Sequence, residues 1–190
     1  MKPEKLIEIY AVAERLKNNT RHCYTSTGRH ESVAEHSWCT ALMAMLVADE
    51  FPEADMNKVL RMCVIHDLGE AFTGDIPTFE KKASDESREE ALLNQWVESL
   101  PEYQRSEFSS LLAEMKERKT LEAKIYKALD NMEAVIQHNL SDLSTWLPLE
   151  YDLQLTYGTE NVKFSPYMQQ LKEAVNVCTR EKIAAESGKK

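Results

Sequence analysis

The stretch Val64-Ile65-His66-Asp67-Leu68-Gly69-Glu70 carries the pattern that decides the fold. Apolar residues recur at helical spacing through it, which predicts a helix beginning at about Asn57. Glycine and proline within residues 73–77 then break that helix. The same periodicity continues on both sides of this stretch, so the chain is predicted to be an all-α bundle with short connections between its helices.

Polar side chains lie together on one face of this predicted helix. At about 100° per residue, His66, Asp67 and Glu70 fall within an arc of about 100°. The arc lies beside an apolar stripe formed by Leu60 and Val64, so it is predicted to look into the interior edge of the bundle. A lone His-Asp pair is typical of a solvated surface. Three polar groups at an interior edge cost several kcal/mol to bury without a cation or a catalytic role, and this favours a functional site.

Periodicity predicts further helices over 4–17, 104–117, 121–140 and 166–185. Two capping-box patterns, Ser32 with Glu35 and Ser87 with Glu90, predict the starts of two more. A loop of about fifteen residues is expected before Ser32. The segment 141–165 is left open between a short strand pair and a loop. Core packing is the prediction for these large side chains: Trp38, Trp96, Trp146, Met43, Met45, Met56 and Met62.

The composition limits the class of protein. The chain has 190 residues, 43% of them hydrophobic, with 5 Gly and 6 Pro, which predicts one domain rather than two. Its net charge of −9 disfavours binding of a long nucleic acid. The longest apolar run, 41–48, is too short to span a membrane. Neither a signal peptide nor a cysteine-pair motif is expected, so a soluble cytoplasmic protein with reduced cysteines is predicted.

The absent motifs narrow the function. The chain contains no GxxxxGK, GxGxxG, GxSxG or HExxH sequence, so P-loop, Rossmann, serine-hydrolase and zincin functions lack their signatures. What remains is a set of histidines and carboxylates. His36 lies in the first turn of the helix that Ser32 caps, where the helix N-terminus fixes its imidazole. Together, His36, the pair His66-Asp67 and the distant Asp130 resemble the H…HD…D signature of the HD-domain metal-dependent phosphohydrolases.

Three stretches, 32–37 (SVAEHS), 66–70 (HDLGE) and 73–78 (TGDIPT), more closely resemble the branch of small HD proteins that includes the 5′-deoxynucleotidases. The resemblance implies an HD-domain helical bundle in which residues 1–190 form a single domain. Its motif-bearing core covers about 15–140, and a helical extension covers 141–190.

The resemblance also implies one divalent cation, with the ligands His36, His66, Asp67 and Asp130. Two nitrogens and two oxygens, completed by waters, suit Mn²⁺, Co²⁺, Fe²⁺ or Mg²⁺ better than closed tetrahedral zinc. A binuclear site would need further histidines in matching motifs, so a single metal ion is expected.

Asp130 is the ligand that periodicity alone does not predict. It lies opposite the main apolar stripe of the helix 121–140, a position typical of a solvated residue. Ala123 and Ala134 flank it, and two small residues allow another helix to approach closely. A helix that is buried on two sides is therefore predicted.

The family resemblance implies roles for further residues. Glu70 is expected to act as general acid or base and Asp75 to orient water or protonate the leaving oxygen. Arg21 matches the arginine that binds the phosphate, and Arg29 is a second candidate for that role. His22 occupies the position where the deoxynucleotidase branch typically has a tryptophan that contacts the sugar, so the preference for deoxyribose or ribose stays open.

The predicted function is a metal-dependent phosphohydrolase that removes phosphate from ribo- or deoxyribonucleoside 5′-monophosphates. One alternative keeps the site but changes the nucleotide to a deoxynucleoside triphosphate, a cyclic dinucleotide or an alarmone. The other is a helical module whose metal is structural. A small nucleotide is the expected partner, and a homodimer is compatible with an exposed helix face.

Overall fold

The computed structural model describes residues 1–187. The helices are α1 (Pro3–Ala13), α2 (Val33–Leu46), α3 (Met56–Ile65), α4 (Glu70–Thr73), α5 (Ala83–Glu98), α6 (Glu102–Glu117), α7 (Leu121–Leu140), α8 (Glu150–Thr156) and α9 (Pro166–Ser187). Short 3-10 turns lie at Glu14–Lys17, Ala48–Glu50, Leu143–Thr145 and Glu160–Val162. The strands β1 (Thr20–Tyr24) and β2 (His30–Ser32) form a small antiparallel pair. The predicted all-α class is confirmed.

Helix α7 lies at the centre of the bundle. It packs against α2, α3, α6 and α9, and ten of its residues are buried. Its apolar stripe includes Ile125, Leu129 and Met132, all fully buried. The opposite face is covered as well, because Ala123 is fully buried and Asp130 is only 8% exposed. The predicted burial on two sides is therefore confirmed.

One predicted capping box is confirmed and the other is wrong. Ser32 Oγ accepts the Glu35 N–H at 3.2 Å, and the Glu35 carboxylate accepts the Ser32 N–H at 2.9 Å. Helix α5, by contrast, begins four residues before Ser87, because Asp85 accepts the free Lys82 N–H at 3.0 Å and caps the helix there. Ser87 lies inside the helix and donates to the Ala83 carbonyl at 2.8 Å.

The segment predicted as a loop before Ser32 is a hairpin instead. β1 and β2 pair Thr20 with Ser32 and Tyr24 with His30. The turn between them contains Gly28 at φ +82°, a left-handed conformation that glycine adopts without strain. Gln137 of α7 donates to the Tyr24 carbonyl at 2.7 Å. Tertiary contact with α7 thus supplies the stabilisation that a two-stranded hairpin lacks on its own.

The helix predicted to carry the His-Asp pair ends earlier than expected. Helix α3 stops at Ile65, and residues 66–69 form a turn closed by tighter i→i+3 bonds such as Glu70 N–H to the Asp67 carbonyl at 3.0 Å. The interior stripe also differs from the prediction, since Val64 is 55% exposed while Val59, Met62, Cys63 and Ile65 are buried. The pair is therefore presented by a turn.

Two smaller predictions differ from the structure. Segment 141–165 contains 3-10 turns and α8, without a strand among the described residues. Trp38 is 65% exposed and Met45 is 62% exposed, because α2 turns that face away from the bundle. Trp146 is buried and Trp96 packs against the core, as predicted. No described helix combines the length and the apolar character that crossing a membrane requires.

Candidate metal centre

The four predicted ligands come together although they lie in three separate parts of the chain. His36 is in the first turn of α2, His66 and Asp67 are in the turn after α3, and Asp130 is in α7. His36 Nε2 lies 3.1 Å from His66 Nε2, 3.1 Å from Asp130 Oδ1 and 3.7 Å from Asp67 Oδ2. His66 Nε2 lies 3.1 Å from Asp67 Oδ2 and 3.5 Å from Asp130 Oδ1.

The outer nitrogens of both imidazoles are held by acceptors. His36 Nδ1 donates to the Glu133 carboxylate, and His66 Nδ1 donates to the Cys63 carbonyl at 2.8 Å. A neutral imidazole with Nδ1 protonated presents a lone pair at Nε2. The two Nε2 lone pairs and two carboxylate oxygens therefore converge on one point. This arrangement is repulsive by itself and is stabilised by a cation.

The spacing of these donor atoms fits a single divalent ion. Adjacent ligands at about 2.1 Å from a six-coordinate ion lie about 3 Å apart. The donor-atom separations run from 3.1 to 3.7 Å, so all four atoms are near enough to contact one ion. His36 is fully buried and Asp130 is 8% exposed, whereas the Asp67 side chain is 23% exposed, so the site is mostly buried and reaches the surface at Asp67.

The charges around the cluster favour a cation as well. Burial disfavours the charged form of His66, yet Asp67 and Asp130 raise the pKa of this imidazole well above its ordinary value. Burial likewise opposes ionisation of Asp130, but Lys127 and the two histidines hold the pKa of this carboxyl well below its usual range. Lys127 Nζ donates to Asp130 Oδ2 at 2.6 Å, which leaves Oδ1 for the cluster.

Glu133 was missed by the sequence analysis. It is 4% exposed and its carboxylate accepts the His36 Nδ1 hydrogen. A carboxylate behind a metal-binding histidine fixes the tautomer and the orientation of the ring. Its spacing of three residues from Asp130 places both carboxylates on one face of α7, and that spacing is the signal that could have found it.

The predicted proton-transfer residue Glu70 lies beside the cluster. It is 6% exposed, and its Oε2 has no hydrogen-bond partner among the described residues. Burial and the neighbouring charges of Asp67 and Asp75 raise the pKa of Glu70 to about 10. A carboxyl with such a pKa holds its proton near neutral pH and is able to donate it.

Asp75 and Arg21 both lie close to Glu70. Burial raises the pKa of Asp75, while Arg21 opposes that rise. The nearby backbone N–H of His22 also opposes that rise, so the loop after α4 lies against β1. Arg21 is 15% exposed, with Nε 3.5 Å from Glu31 Oε2. Its positive charge also lowers the pKa of Glu70, so the arginine and both carboxyl groups share one electrostatic environment.

A cavity opens beside these residues. Arg21 and Asp75 lie in its wall together with apolar residues such as Phe79. His22, the position left open by the sequence analysis, also lines it, together with His138 of α7. The cavity therefore joins a charged end to a mixed polar and apolar interior.

Arg29 is not brought to this cavity. It is exposed on the hairpin, and its guanidinium binds the Glu35 carboxylate through two hydrogen bonds of 2.6 and 2.9 Å. It borders a separate groove that Trp38 also lines. The contact stabilises the capping box of α2.

His138 makes the stability of the fold sensitive to acid. Burial, His22 and Arg21 lower its pKa to about 4, although the Glu150 carboxylate lies 3.6 Å from its Nε2. Because the unfolded chain binds the proton near pH 6.5, this contribution is present above pH 6.5 and is lost as the pH falls towards 4. We expect about 2 kcal/mol less unfolding free energy from this group at pH 5 than at pH 7.

Urea unfolding of the parent and of His138→Gln at both pH values measures this loss. The variant is expected to lose about 2 kcal/mol less than the parent on acidification, whereas His30→Gln, at an exposed imidazole of β2, is expected to follow the parent. An equal loss in parent and His138→Gln would contradict the assignment.

The model of the HD domain family matches residues 13–172. The chain belongs to the HD domain family. The resemblance drawn from the H…HD…D pattern is confirmed, and so is the predicted enzyme class, an HD-type phosphohydrolase.

Two vertebrate proteins are similar to this HD domain. The human protein 5'-deoxynucleotidase HDDC2 is 31% identical over 136 residues, which cover 70% of this chain and 66% of that protein. The Xenopus laevis protein of the same name is 29% identical over 138 residues, covering 70% and 68%. The matched part thus spans about two thirds of the length of these relatives.

Solved structures resemble the HD domain along most of its length. A predicted metal-dependent phosphohydrolase from Magnetospirillum magnetotacticum matches with a TM-score of 0.79 and 26% identity, over 95% of this chain and 92% of that one. A conserved hypothetical protein from Pyrococcus furiosus matches with a TM-score of 0.67 and 30% identity, over 89% and 98%.

Proposed function

We propose that this HD domain is a 5′-nucleotidase that removes phosphate from ribo- or deoxyribonucleoside 5′-monophosphates. The observation that carries the proposal is the convergence of four ligand atoms close to Glu70, Asp75 and Arg21, beside a cavity that Arg21 and Asp75 line. The name 5'-deoxynucleotidase, borne by relatives of about 30% identity, supports the same substrate class.

One divalent cation is held by His36, His66, Asp67 and Asp130 in this proposal. Their two nitrogens and two oxygens suit Mn²⁺, Co²⁺, Fe²⁺ or Mg²⁺. Such an ion lowers the pKa of water and neutralises charge on phosphoryl oxygens when it is bound. Glu133 orients the His36 ring from behind, and Lys127 fixes Asp130.

The remaining residues bind the phosphate and move protons. Arg21 carries a planar guanidinium that suits phosphoryl oxygens, and the Glu31 carboxylate near its Nε holds it in place. Glu70 holds a proton because it is buried among other carboxyl groups, so it serves as the acid that protonates the leaving oxygen or exchanges a proton with the attacking water. Asp75, close to the backbone N–H of His22, orients that water.

A substrate and metal panel tests this function. Phosphate release is measured for ribo- and deoxyribonucleoside 5′-monophosphates, each with Mn²⁺, Co²⁺, Fe²⁺ and Mg²⁺, and with a deoxynucleoside triphosphate, a cyclic dinucleotide and an alarmone as competing substrate classes. The expected result is metal-dependent release from the monophosphates. Turnover restricted to another class would replace the proposal, and metal-induced stabilisation without turnover of any ester would favour a structural metal.

We also propose that two copies associate through an exposed apolar face of α2. The face is formed by Trp38, Leu42, Met45 and Leu46, which are 38% to 71% exposed. Their spacing places them on one side of the helix, and contiguous apolar surface of this kind marks interaction sites. Since α2 also carries His36, such a dimer would place this face directly behind the site.

The molecular mass of the protein in solution tests the proposed dimer directly. Light scattering during size exclusion is expected to give twice 21.8 kDa for the parent, because burying this face removes apolar surface from water. Trp38→Glu is expected to shift the mass to that of one chain by placing a charge in the interface. Lys163→Glu, at an exposed residue outside this face, serves as the matched control. A parent that elutes as a monomer at high concentration contradicts the proposal.

We also propose that the protein is located in the cytoplasm. Cys23, Cys39, Cys63 and Cys178 are all free thiols. Burial raises the pKa of Cys39 to about 11 and that of Cys63 to about 12, so these thiols stay protonated. Free thiols of this kind suit a reducing compartment.

A further inference from the structure

Tyr157 brings a phenol hydroxyl to the cavity from outside the part of the chain that carries the motifs. It directly follows α8 and lies in the wall that Arg21 and Asp75 also line. The predicted motif-bearing core ends at about residue 140, so this side chain comes from the segment that the sequence analysis left open. It has no part in the phosphate chemistry described above.

A tight turn after Tyr157 is docked against α7. Gly158 has φ +73°, a conformation that glycine adopts without strain. A Cβ at this position would lie only 2.7 Å from the Asn131 Cβ, so the turn approaches α7 more closely than a larger residue would allow. Asn131 Oδ1 also accepts a hydrogen bond from Asn161 Nδ2 at 2.6 Å. Because Asn131 directly follows the ligand Asp130, this turn holds the tyrosine beside the metal centre.

The Tyr157 hydroxyl lacks a close hydrogen-bond acceptor. Its one contact among the described residues is with Thr78 Oγ1 at 3.4 Å, which is long for two hydroxyl groups. Lys127 is near enough to interact electrostatically with the phenol, and Lys127 Nζ donates to Asp130 Oδ2 at 2.6 Å. The hydroxyl therefore has a hydrogen to donate at the edge of the metal centre.

Three further ionisable groups of the same wall face one another instead. Glu150 is only 1% exposed, and its Oε1 lies 3.3 Å from His22 Nε2 and 3.6 Å from His138 Nε2. Its Oε2 accepts the Leu147 N–H at 2.7 Å. This buried group is a structural part of the wall. Tyr157 differs from it, because its side chain is only partly buried and its hydroxyl is free to turn towards a ligand.

A phosphate is the acceptor that suits this place. In the proposed reaction, the phosphate contacts both Arg21 and the cation that Asp130 helps to hold. Tyr157 shares a wall with Arg21 and lies near Asp130 through Lys127, so a phosphate between those groups comes within its reach. A charged acceptor makes a hydrogen bond about twice as strong as a neutral one. The phosphate is therefore a better partner for the phenol than Thr78 is.

We propose that the Tyr157 hydroxyl donates a hydrogen bond to a phosphoryl oxygen of the nucleotide, as a second phosphate-binding residue besides Arg21. This contact rests on the proposed nucleotidase function and extends its phosphate site to the segment after α8. The phenol exchanges its long contact with Thr78 for the phosphate, and no covalent step involves the ring. Substrate and product phosphate are both contacted, so the effect falls on binding and not on the chemical step.

Calorimetry with inorganic phosphate, the proposed product, tests this contact on the 190-residue protein loaded with each metal ion of the panel. Tyr157→Phe is expected to weaken phosphate binding by about tenfold or more, because a hydrogen bond to a charged group is lost. Binding of adenosine, which has no phosphate, is expected to stay within about twofold of the parent. With adenosine 5′-monophosphate as substrate, KM is expected to rise about tenfold while kcat changes by less than about threefold.

Tyr103→Phe, at a tyrosine of α6 that is 73% exposed, is the matched control and is expected to follow the parent. Phenylalanine keeps the ring of Tyr157 in the wall, so the melting temperature should change little. If Tyr157→Phe weakens the binding of phosphate and of adenosine by the same factor, the tyrosine is a structural part of the wall and the proposal is wrong. A variant that differs from the parent only in melting temperature contradicts the proposal as well.

The phosphate titration and the turnover assay separate this contact from the proposed function. If phosphate binds the parent more tightly than Tyr157→Phe but no monophosphate is hydrolysed, the contact stands and the nucleotidase function fails. If parent and variant hydrolyse monophosphates with the same KM, the contact is wrong and the function stands. Absence of both phosphate binding and turnover overturns both.

Discussion

Replacing Asp67 by asparagine is expected to lower phosphate release from nucleoside 5′-monophosphates by at least about 100-fold, since even residues behind metal ligands cost 10- to 100-fold when changed. The Asp67 carboxylate lies 3.1 Å from His66 Nε2 and 3.7 Å from His36 Nε2. Asparagine keeps its shape but removes the charge that holds the cation. Steady-state phosphate release with Mn²⁺ or Co²⁺ measures the effect.

A second readout shows whether the loss arises from the metal. In the parent, metal at 100 times its dissociation constant is expected to stabilise the fold by about 2.7 kcal/mol, and in Asp67→Asn most of this stabilisation should vanish. Asp49→Asn, at an exposed aspartate just after α2, provides the control. A variant rate within twofold of the parent would show that Asp67 is not a ligand.

Replacing Glu70 by glutamine is expected to lower kcat by about 10² to 10⁴ without weakening metal binding, since general acid-base catalysis contributes that much. The side chain is 6% exposed and its pKa is raised to about 10, so the neutral amide fits the same space and the fold should be kept. The measurement pairs phosphate release with metal-induced stabilisation. Full stabilisation with lost turnover separates this role from that of Asp67.

Glu98→Gln provides the comparison for Glu70→Gln, because Glu98 is exposed on α5. It is expected to match the parent in both measurements. Retention of the parent rate by Glu70→Gln would remove Glu70 from the proton chemistry. Loss of metal-induced stabilisation in that variant would instead place Glu70 among the groups that hold the cation.

The helices and their caps were largely readable because they depend on local interactions. The helix predicted over 121–140 has those bounds in the structure, and the Ser32 capping box forms as expected. Errors arose where two local signals competed. At the start of α5, Asp85 forms the cap in place of Ser87. The hairpin 20–32 was missed for another reason: it forms because α7 supports it, and no pattern within the hairpin reveals that contact.

The site was predicted unevenly for a related reason. Spacing placed His66, Asp67 and Glu70 close together, but it treated 66–69 as a helix where the structure has a turn. Glu133 acts on His36 across 97 positions of sequence, and the partners of Glu150 come from two other elements. Arg29, although close to the motif in sequence, binds Glu35 instead.

The sequence alone determined the helical class, the bounds of α7, the bounds of α6 and α9 to within two residues, and which residue types were available to bind a cation. Periodicity and capping are encoded within a few turns of the chain, which is why these features were readable. Only the tertiary structure decided that Asp130 faces inward, that Glu133 lies behind His36, and that Glu150 stands between two imidazoles. Those contacts depend on how distant helices pack around α7, and burial among the packed helices sets the pKa values of the site.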